Sequence, residues 1–165
     1  MGLSATLAML VREAQQRGRI DGLPQQHFID GRWCDSASGA RLQLEDPGAG
    51  CVFLEVAAGD AEDVDRAVRA ARAAFRGPLA TLTPSERGRL LGRAAALLRE
   101  RADIFAVAET LCSGKRLSES LGDVAGAARC FEYYAGACDK LHGETLPLGP
   151  RHFGQTHWEP VGVAA

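Results

Sequence analysis

The chain carries no surplus of charge of either sign: 19 Lys and Arg stand against 21 Asp and Glu, a net charge of −2. Nucleic-acid binding calls for a concentrated basic face, and none is present. No apolar run approaches the roughly 18 residues that a membrane span requires. The five cysteines, Cys34, Cys51, Cys112, Cys130 and Cys138, are odd in number and scattered, with no CxxC and no Cys/His ligand spacing. That disfavours a disulfide framework and a zinc site, and points to a reducing, cytoplasmic setting. His27, His142, His152 and His157 form no ligand pair at helical spacing. No GxGxxG occurs. Gly114-Lys115 fails as a phosphate loop, because Glu109 and Arg116 stand where Gly and Ser or Thr are needed. What is present is a globular composition, 46% hydrophobic over 165 residues, enough for one domain with a real core.

The first residues divide into a helix and a linker. Leu3, Leu7, Leu10, Val11 and Ala14 share one helical stripe, as in a docking helix, and the segment lacks a secretory cleavage site. Gly2 followed by Ser4 and Thr6 also matches the short myristoylation pattern, which is common by chance. Residues 18 to 26 are polar, with Gly22 and Pro24, so residues 1–26 read as a helix plus linker ahead of a body at 27–165.

Short strands open that body. Phe28-Ile29-Asp30-Gly31-Arg32-Trp33 is an aromatic, β-branched segment with a turn at Asp30-Gly31. Residues 41 to 45 alternate in polarity, Pro47 to Gly50 turn, and residues 51 to 56 form another strand. Together they predict a small antiparallel sheet.

Helices follow. Asp60 is a good N-cap with Asp63 behind it, and Val64, Ala67, Val68, Ala71, Ala74 and Phe75 recur at helical spacing until Gly77-Pro78. Thr83-Pro84-Ser85-Glu86 is a capping box with proline at the first helical position. Leu90, Leu91, Ala94, Leu97 and Leu98 are expected to be its buried stripe. A break near Asp103 precedes a second stretch that Gly114 should cap. The third helix spans about 118 to 141. Residues 144–148 are extended, and residues 151–158 read as a mixed polar and aromatic strand. The uncharged run from Val161 to Ala165 suits a strand buried on both faces of a parallel sheet.

The order of these pieces, more than any one of them, resembles the NAD(P)-dependent aldehyde dehydrogenase family. Phe28 to Trp33, the Asp46-Pro47 turn, Gly59 to Val64 with Ala73-Ala74-Phe75, and Arg87 to Leu91 come in the family's order. Glu109 to Lys115, Tyr133 to Gly136, Asp139-Lys140, His142-Gly143 and Pro147 continue it, and Glu159 to Val163 is similar to the entry into the first strand of the dinucleotide-binding sheet. Cys112, Ser113 and Arg116 depart from the family's usual Asp, Asn and Pro, which bears on the local loop.

The resemblance implies an α/β fold: the amino-terminal portion of the aldehyde dehydrogenase fold, with small antiparallel strands, three helices, an oligomerisation-arm strand and the first strand of an incomplete Rossmann-like sheet. It implies oxidation of an aldehyde to a carboxylic acid with NAD or NADP, through a cysteine thiohemiacetal. The family's nucleophile, base, oxyanion donor and cofactor-holding turn all match positions after 165, so this chain alone is expected to be inactive, without catalytic, cofactor-binding or metal residues of its own. The alternative is a non-catalytic oligomerisation or regulatory module that associates with a full-length relative.

Two surfaces remain from the resemblance. Asp123, Gly126, Ala127 and Cys130 would face the substrate tunnel, with Gly126 widening it, although core packing is the plainer expectation for Ala127 and Cys130. Phe153, Gln155, His157 and Trp158 would form the oligomerisation strand, giving a homo-oligomer or a complex with a relative. Cys112 stands out among the thiols, because the Lys115 ammonium nearby would lower its pKa. No His or Glu is placed by sequence to complete a site with it, so no catalytic role is expected. Glu109, Glu132 and Glu159 are isolated acids, better explained as solvated or paired.

Overall fold

The computed structural model describes residues 3–164. The myristoylation pattern at Gly2 therefore lies outside the described residues. Helix α1 (Leu3–Arg17) is followed by two hairpins, β1 (His27–Ile29) with β2 (Arg32–Cys34) and β3 (Arg41–Asp46) with β4 (Cys51–Ala57). Helices α2 (Ala61–Arg76), α3 (Pro84–Glu100), α4 (Ala102–Ser113) and α5 (Leu117–Ala137) come next, with a short 3₁₀ turn at Pro78–Thr81. Strands β5 (Thr145–Leu146) and β6 (Gly154–Gln155) close the order. No helix among the described residues is long and apolar enough to cross a membrane.

The core forms where α1, β4 and α4 meet. Leu7 and Ala14 of α1 join Ile20, Phe53 and Leu54, and Val107 and Leu111 of α4. Phe53 and Leu111 are essentially sealed from solvent, and each such side chain contributes about 1.5–3 kcal/mol by leaving water. Leu7, Leu10, Val11 and Ala14 of α1 thus dock as their spacing implies, and with Ile20 and Leu23 they share one core with the body; the side chain of Leu3 lies outside the described residues. Asp46, buried at the end of β3, accepts from Gln15 Nε2 at 2.7 Å and Gly48 N–H at 2.8 Å, tying α1 to the β3–β4 turn.

The helix ends follow the capping chemistry of the sequence. Asp60 and Thr83 each close a capping box, with Asp63 and Glu86 reaching back. Arg101 separates α3 from α4, and Gly114 ends α4 in the left-handed conformation. Between α4 and α5, the fully buried Ser120 hydroxyl meets Thr110 Oγ1 at 2.8 Å, so neither oxygen is stranded.

The structure corrects several expectations. The early strands make two separate antiparallel hairpins instead of one sheet. Among the described residues the three-residue strands β1 and β2 pair only with each other, and the stretch just before β1 is tied to β4 by Ala57 N–H donating to the Gln25 carbonyl at 2.8 Å. The α2 stripe is open: Val64 is 60% exposed, because α2 touches little besides β1 and the 3₁₀ turn. On α3 the line against α5 runs through Gly88 and Ala95, leaving Leu90 and Leu97 outside. Helix α5 ends at Ala137, before Leu141. Of the expected strand at 151–158 only Gly154–Gln155 is regular, paired with β5. Residues 161–164 form no strand, and Val161 is 97% exposed. No strand lies beside them among the described residues to take their backbone hydrogen bonds.

Candidate substrate-facing and assembly surfaces

Helix α5 presents two faces. Ser120, Val124 and Ala128, four residues apart, are its buried line. Asp123, Gly126, Ala127 and Cys130 lie on the other side and are all exposed. Core packing of Ala127 and Cys130 is thereby overturned: with α3 and α4 seated on the buried line, nothing among the described residues covers them. A Cβ placed on Gly126 would meet no atom within 4 Å, so the surface there is flat and open.

Asp123 is not free on this face. Lys115, just beyond the Gly114 turn, donates to Asp123 Oδ2 at 2.9 Å and pairs with Glu109 Oε1 at 2.6 Å. One ammonium therefore joins the end of α4 to the second turn of α5. The Asp123 and Glu109 hydrogen bonds hold its pKa above the ordinary lysine range, so the ammonium is charged at neutral pH. The same pairing corrects the expectation for Cys112. Burial pushes its thiol up, and the Glu109 carboxylate pushes it further. The ammonium expected to activate it is held by two carboxylates instead.

The remaining sequence candidates are dispersed. All five cysteines are free thiols, and Cys138 Sγ donates to the Tyr134 carbonyl one turn back at 3.2 Å. Glu132 on α5 binds Arg99 on α3 through two hydrogen bonds of 2.7 and 2.9 Å. Glu109 is paired as described, and Glu159 is exposed. No group of three metal-ligating side chains occurs among the described residues.

The β5–β6 hairpin carries the second surface. Phe153 is 78% and Trp158 70% exposed, and Gln155 and His157 are exposed beside them. Trp158 Nε1 donates to the His142 carbonyl at 3.0 Å, and the Glu144 N–H donates to Thr156 Oγ1 at 2.7 Å. The hairpin is thus locally stitched, with its apolar groups outward and two unpaired strand edges.

One cluster escaped the sequence reading. Asp63, expected only as a helix-start acid, collects Ser36 Oγ at 2.9 Å, Ala37 N–H at 3.1 Å, Asp60 N–H at 3.3 Å and Arg66 Nη1 at 3.2 Å. His27 Nε2 lies 3.9 Å away. The signal was the capping box itself, but its long-range partner Ser36 lies in a loop that no local pattern links to α2.

Strand pairs in the described residues are all antiparallel. A dinucleotide cradle is built on a parallel strand turning through glycines into a helix amino terminus, and no such strand occurs among the described residues. They define a mixed α/β fold. Residues 33–165 match the aldehyde dehydrogenase family model, and the chain belongs to the aldehyde dehydrogenase family. It is 46% identical to the mitochondrial aldehyde dehydrogenase of Sus scrofa over 164 residues, covering 98% of this chain and 31% of that protein. It superposes on the betaine aldehyde dehydrogenase of Staphylococcus aureus, solved in complex with NAD+, with a TM-score of 0.76, 32% identity and coverage of 86% and 28% of the two chains. The NAD-dependent aldehyde dehydrogenase of Sinorhizobium meliloti gives a TM-score of 0.72 at 34% identity, with 79% and 26% covered. The chain thus has the fold of the amino-terminal part of these enzymes and spans about a third or less of their length.

Proposed function

We propose that this chain contributes the amino-terminal part of an enzyme that oxidises an aldehyde to a carboxylic acid with NAD or NADP. The family membership supports the reaction. The carrying observation for this chain's share is the open α5 face, where Asp123, Gly126, Ala127 and Cys130 stand uncovered on a helix fixed from behind by α3 and α4. In this reading that face is a wall of the aldehyde tunnel, wide at Gly126, and Lys115 sets its angle through Asp123. The nicotinamide cofactor would accept hydride from the adduct of the aldehyde with a cysteine thiolate. Neither the nucleophile nor the base is assigned to these residues, because Cys112 is a poor thiolate and its neighbouring acid is already paired.

The experiment is direct. The 165-residue chain, incubated with aliphatic and aromatic aldehydes plus NAD or NADP, should produce no reduced cofactor above a blank. Turnover that disappears on Cys112→Ser would overturn the assignment.

The exposed β5–β6 hairpin favours a second role, association through Phe153, Gln155, His157 and Trp158 with another copy or with a full-length relative in a reducing, cytoplasmic compartment. Co-expression with a tagged full-length aldehyde dehydrogenase should retain the chain, and Phe153→Asp should release it. Retention unaffected by that change would argue against this surface.

A further inference from the structure

We infer that the groove where the end of α3, the start of α4 and the far half of α5 meet is a binding site for a medium-chain alkyl carboxylate. It is lined by Ala94, Leu97, Leu98, Arg101, Phe105 and Phe131 and has a volume of about 400 Å³. That is the size and apolar character of a small-molecule site. None of the four residues on the open α5 face lines it, so it is separate from the tunnel wall proposed above.

The corner at Arg101 builds the groove. Arg101 ends α3 and starts α4. Its N–H donates to the Leu97 carbonyl at 3.1 Å, and its carbonyl accepts from the Phe105 N–H at 3.3 Å. Leu97 and Phe105 are thereby fixed on either side of the turn, and Phe131 supplies the third wall from α5. Ala94, one turn before Leu98, is too small to fill the floor. Leu97, Phe105 and Phe131 are recessed, at 38–40% exposure, whereas Phe153 and Trp158 project at 78% and 70%. Recessed walls receive a slender chain, while projecting rings suit the face of a protein partner.

The charge of the occupant follows from the one ionic group in the lining. Arg99 gives its guanidinium to Glu132 through hydrogen bonds of 2.7 and 2.9 Å, but Arg101 pairs with no carboxylate among the described residues. Asp103 accepts from the Ile104 N–H at 2.9 Å, and neither it nor Glu100 lines the groove. A planar guanidinium at the edge of an apolar trough matches a carboxylate, which accepts from two of its N–H groups at once. The alkyl chain covers the leucines and the two rings. A cation of the same chain length meets like charge there, and an alcohol brings no charge at all.

The test is a chemical-shift titration of the 165-residue chain with octanoate, octanol and octyltrimethylammonium, each dilute enough to stay unassociated, at two protein concentrations. Octanoate should shift Leu97, Leu98, Phe105, Phe131 and the Arg101 side-chain N–H saturably, with a Kd of roughly 0.1–1 mM. Leu7 and Phe53 of the core should not move. Octanol should bind about tenfold more weakly for want of the charge-assisted hydrogen bonds, and the ammonium not measurably. Arg101→Gln should bring octanoate down to the level of octanol, and Ala94→Phe should exclude both. Three outcomes would each overturn the site: no saturable shift, equal binding of all three ligands, or shifts at Phe105 and Phe131 that follow protein concentration and not octanoate. The second would mean a general apolar affinity, and the third a second copy in the groove. The ligand comparison needs no variant, so a misfolded Ala94→Phe leaves it decisive.

Discussion

Gly88 on α3 meets the main chain of α5 so closely that a Cβ there would stand 2.6 Å from the Ala135 carbonyl oxygen. Seven residues on, Ala95 is 1% exposed, and on the facing helix Ala128 is fully buried. Small residues two turns apart on both helices let the backbones approach, and the open α5 face is held in place by that contact.

Gly88→Ala should therefore destabilise the chain by about 1–3 kcal/mol through overpacking, although alanine is the better helix former by ~1 kcal/mol. Gly92, one turn on, has nothing within 4 Å of its would-be Cβ. Gly92→Ala should stabilise by about 0.5–1 kcal/mol. Urea denaturation of both variants separates close packing from propensity, and two changes of the same sign would refute the contact.

Gly114 makes a comparable claim for the α4–α5 turn. Its φ is 73°, and a Cβ would approach Pro47 Cγ to 3.0 Å. Gly114→Ala should cost about 1–2 kcal/mol from the left-handed backbone alone. Asn, which tolerates this region better, should cost less. A melting temperature unchanged in both variants would show that the turn relaxes.

Local chemistry was the legible part of this fold. Asp60, Thr83 and Gly114 mark helix ends because capping groups act within a few residues, and Asp30-Gly31 makes the first hairpin turn with φ of 54° and 73°. Tertiary placement was less legible. Leu90 and Leu97 repeat at helical spacing as core residues do, yet α3 turns Gly88 and Ala95 toward α5, a choice set by how closely two backbones can approach. Ala127 and Cys130 read as core for the same reason, since a small apolar residue looks alike on a buried or an open face. The lowered pKa expected of Cys112 fails because the sequence shows Lys115 nearby but not that Glu109 and Asp123 hold it.

The thiol of Cys112 gives a pH prediction. Its pKa is raised by burial and by Glu109, so the reactive thiolate fraction at neutral pH is small and grows only as pH climbs past the ordinary thiol value of ~8.5. Alkylation by iodoacetamide, followed by peptide mass spectrometry, should be slow at Cys112 at neutral pH and rise steeply in alkali. Glu109→Gln should speed it at neutral pH by removing the adjacent negative charge. Rapid neutral labelling in the wild type would contradict this environment.

The exposed stripe on α2 and the outer edge of α3 lead to the last prediction. Phe28 is 60% exposed, Val64 60%, Leu90 52% and Leu97 40%, on elements whose sequence periodicity is that of buried faces. Each residue of that size gains about 1.5–3 kcal/mol on full burial, while ordering two molecules against each other costs at least ~4 kcal/mol. A few such residues meeting at once suffice to cross that threshold. The isolated chain should then associate in a concentration-dependent way over a range of roughly 1–100 µM, with a helical far-ultraviolet spectrum unchanged by association. Val64→Asp together with Leu97→Glu should weaken this while leaving the α1–β4–α4 core intact, because neither residue belongs to it. Sedimentation velocity reads the first effect and thermal melting the second. A single monomeric boundary at every concentration in the wild type would mean that these faces, though apolar and open, do not meet.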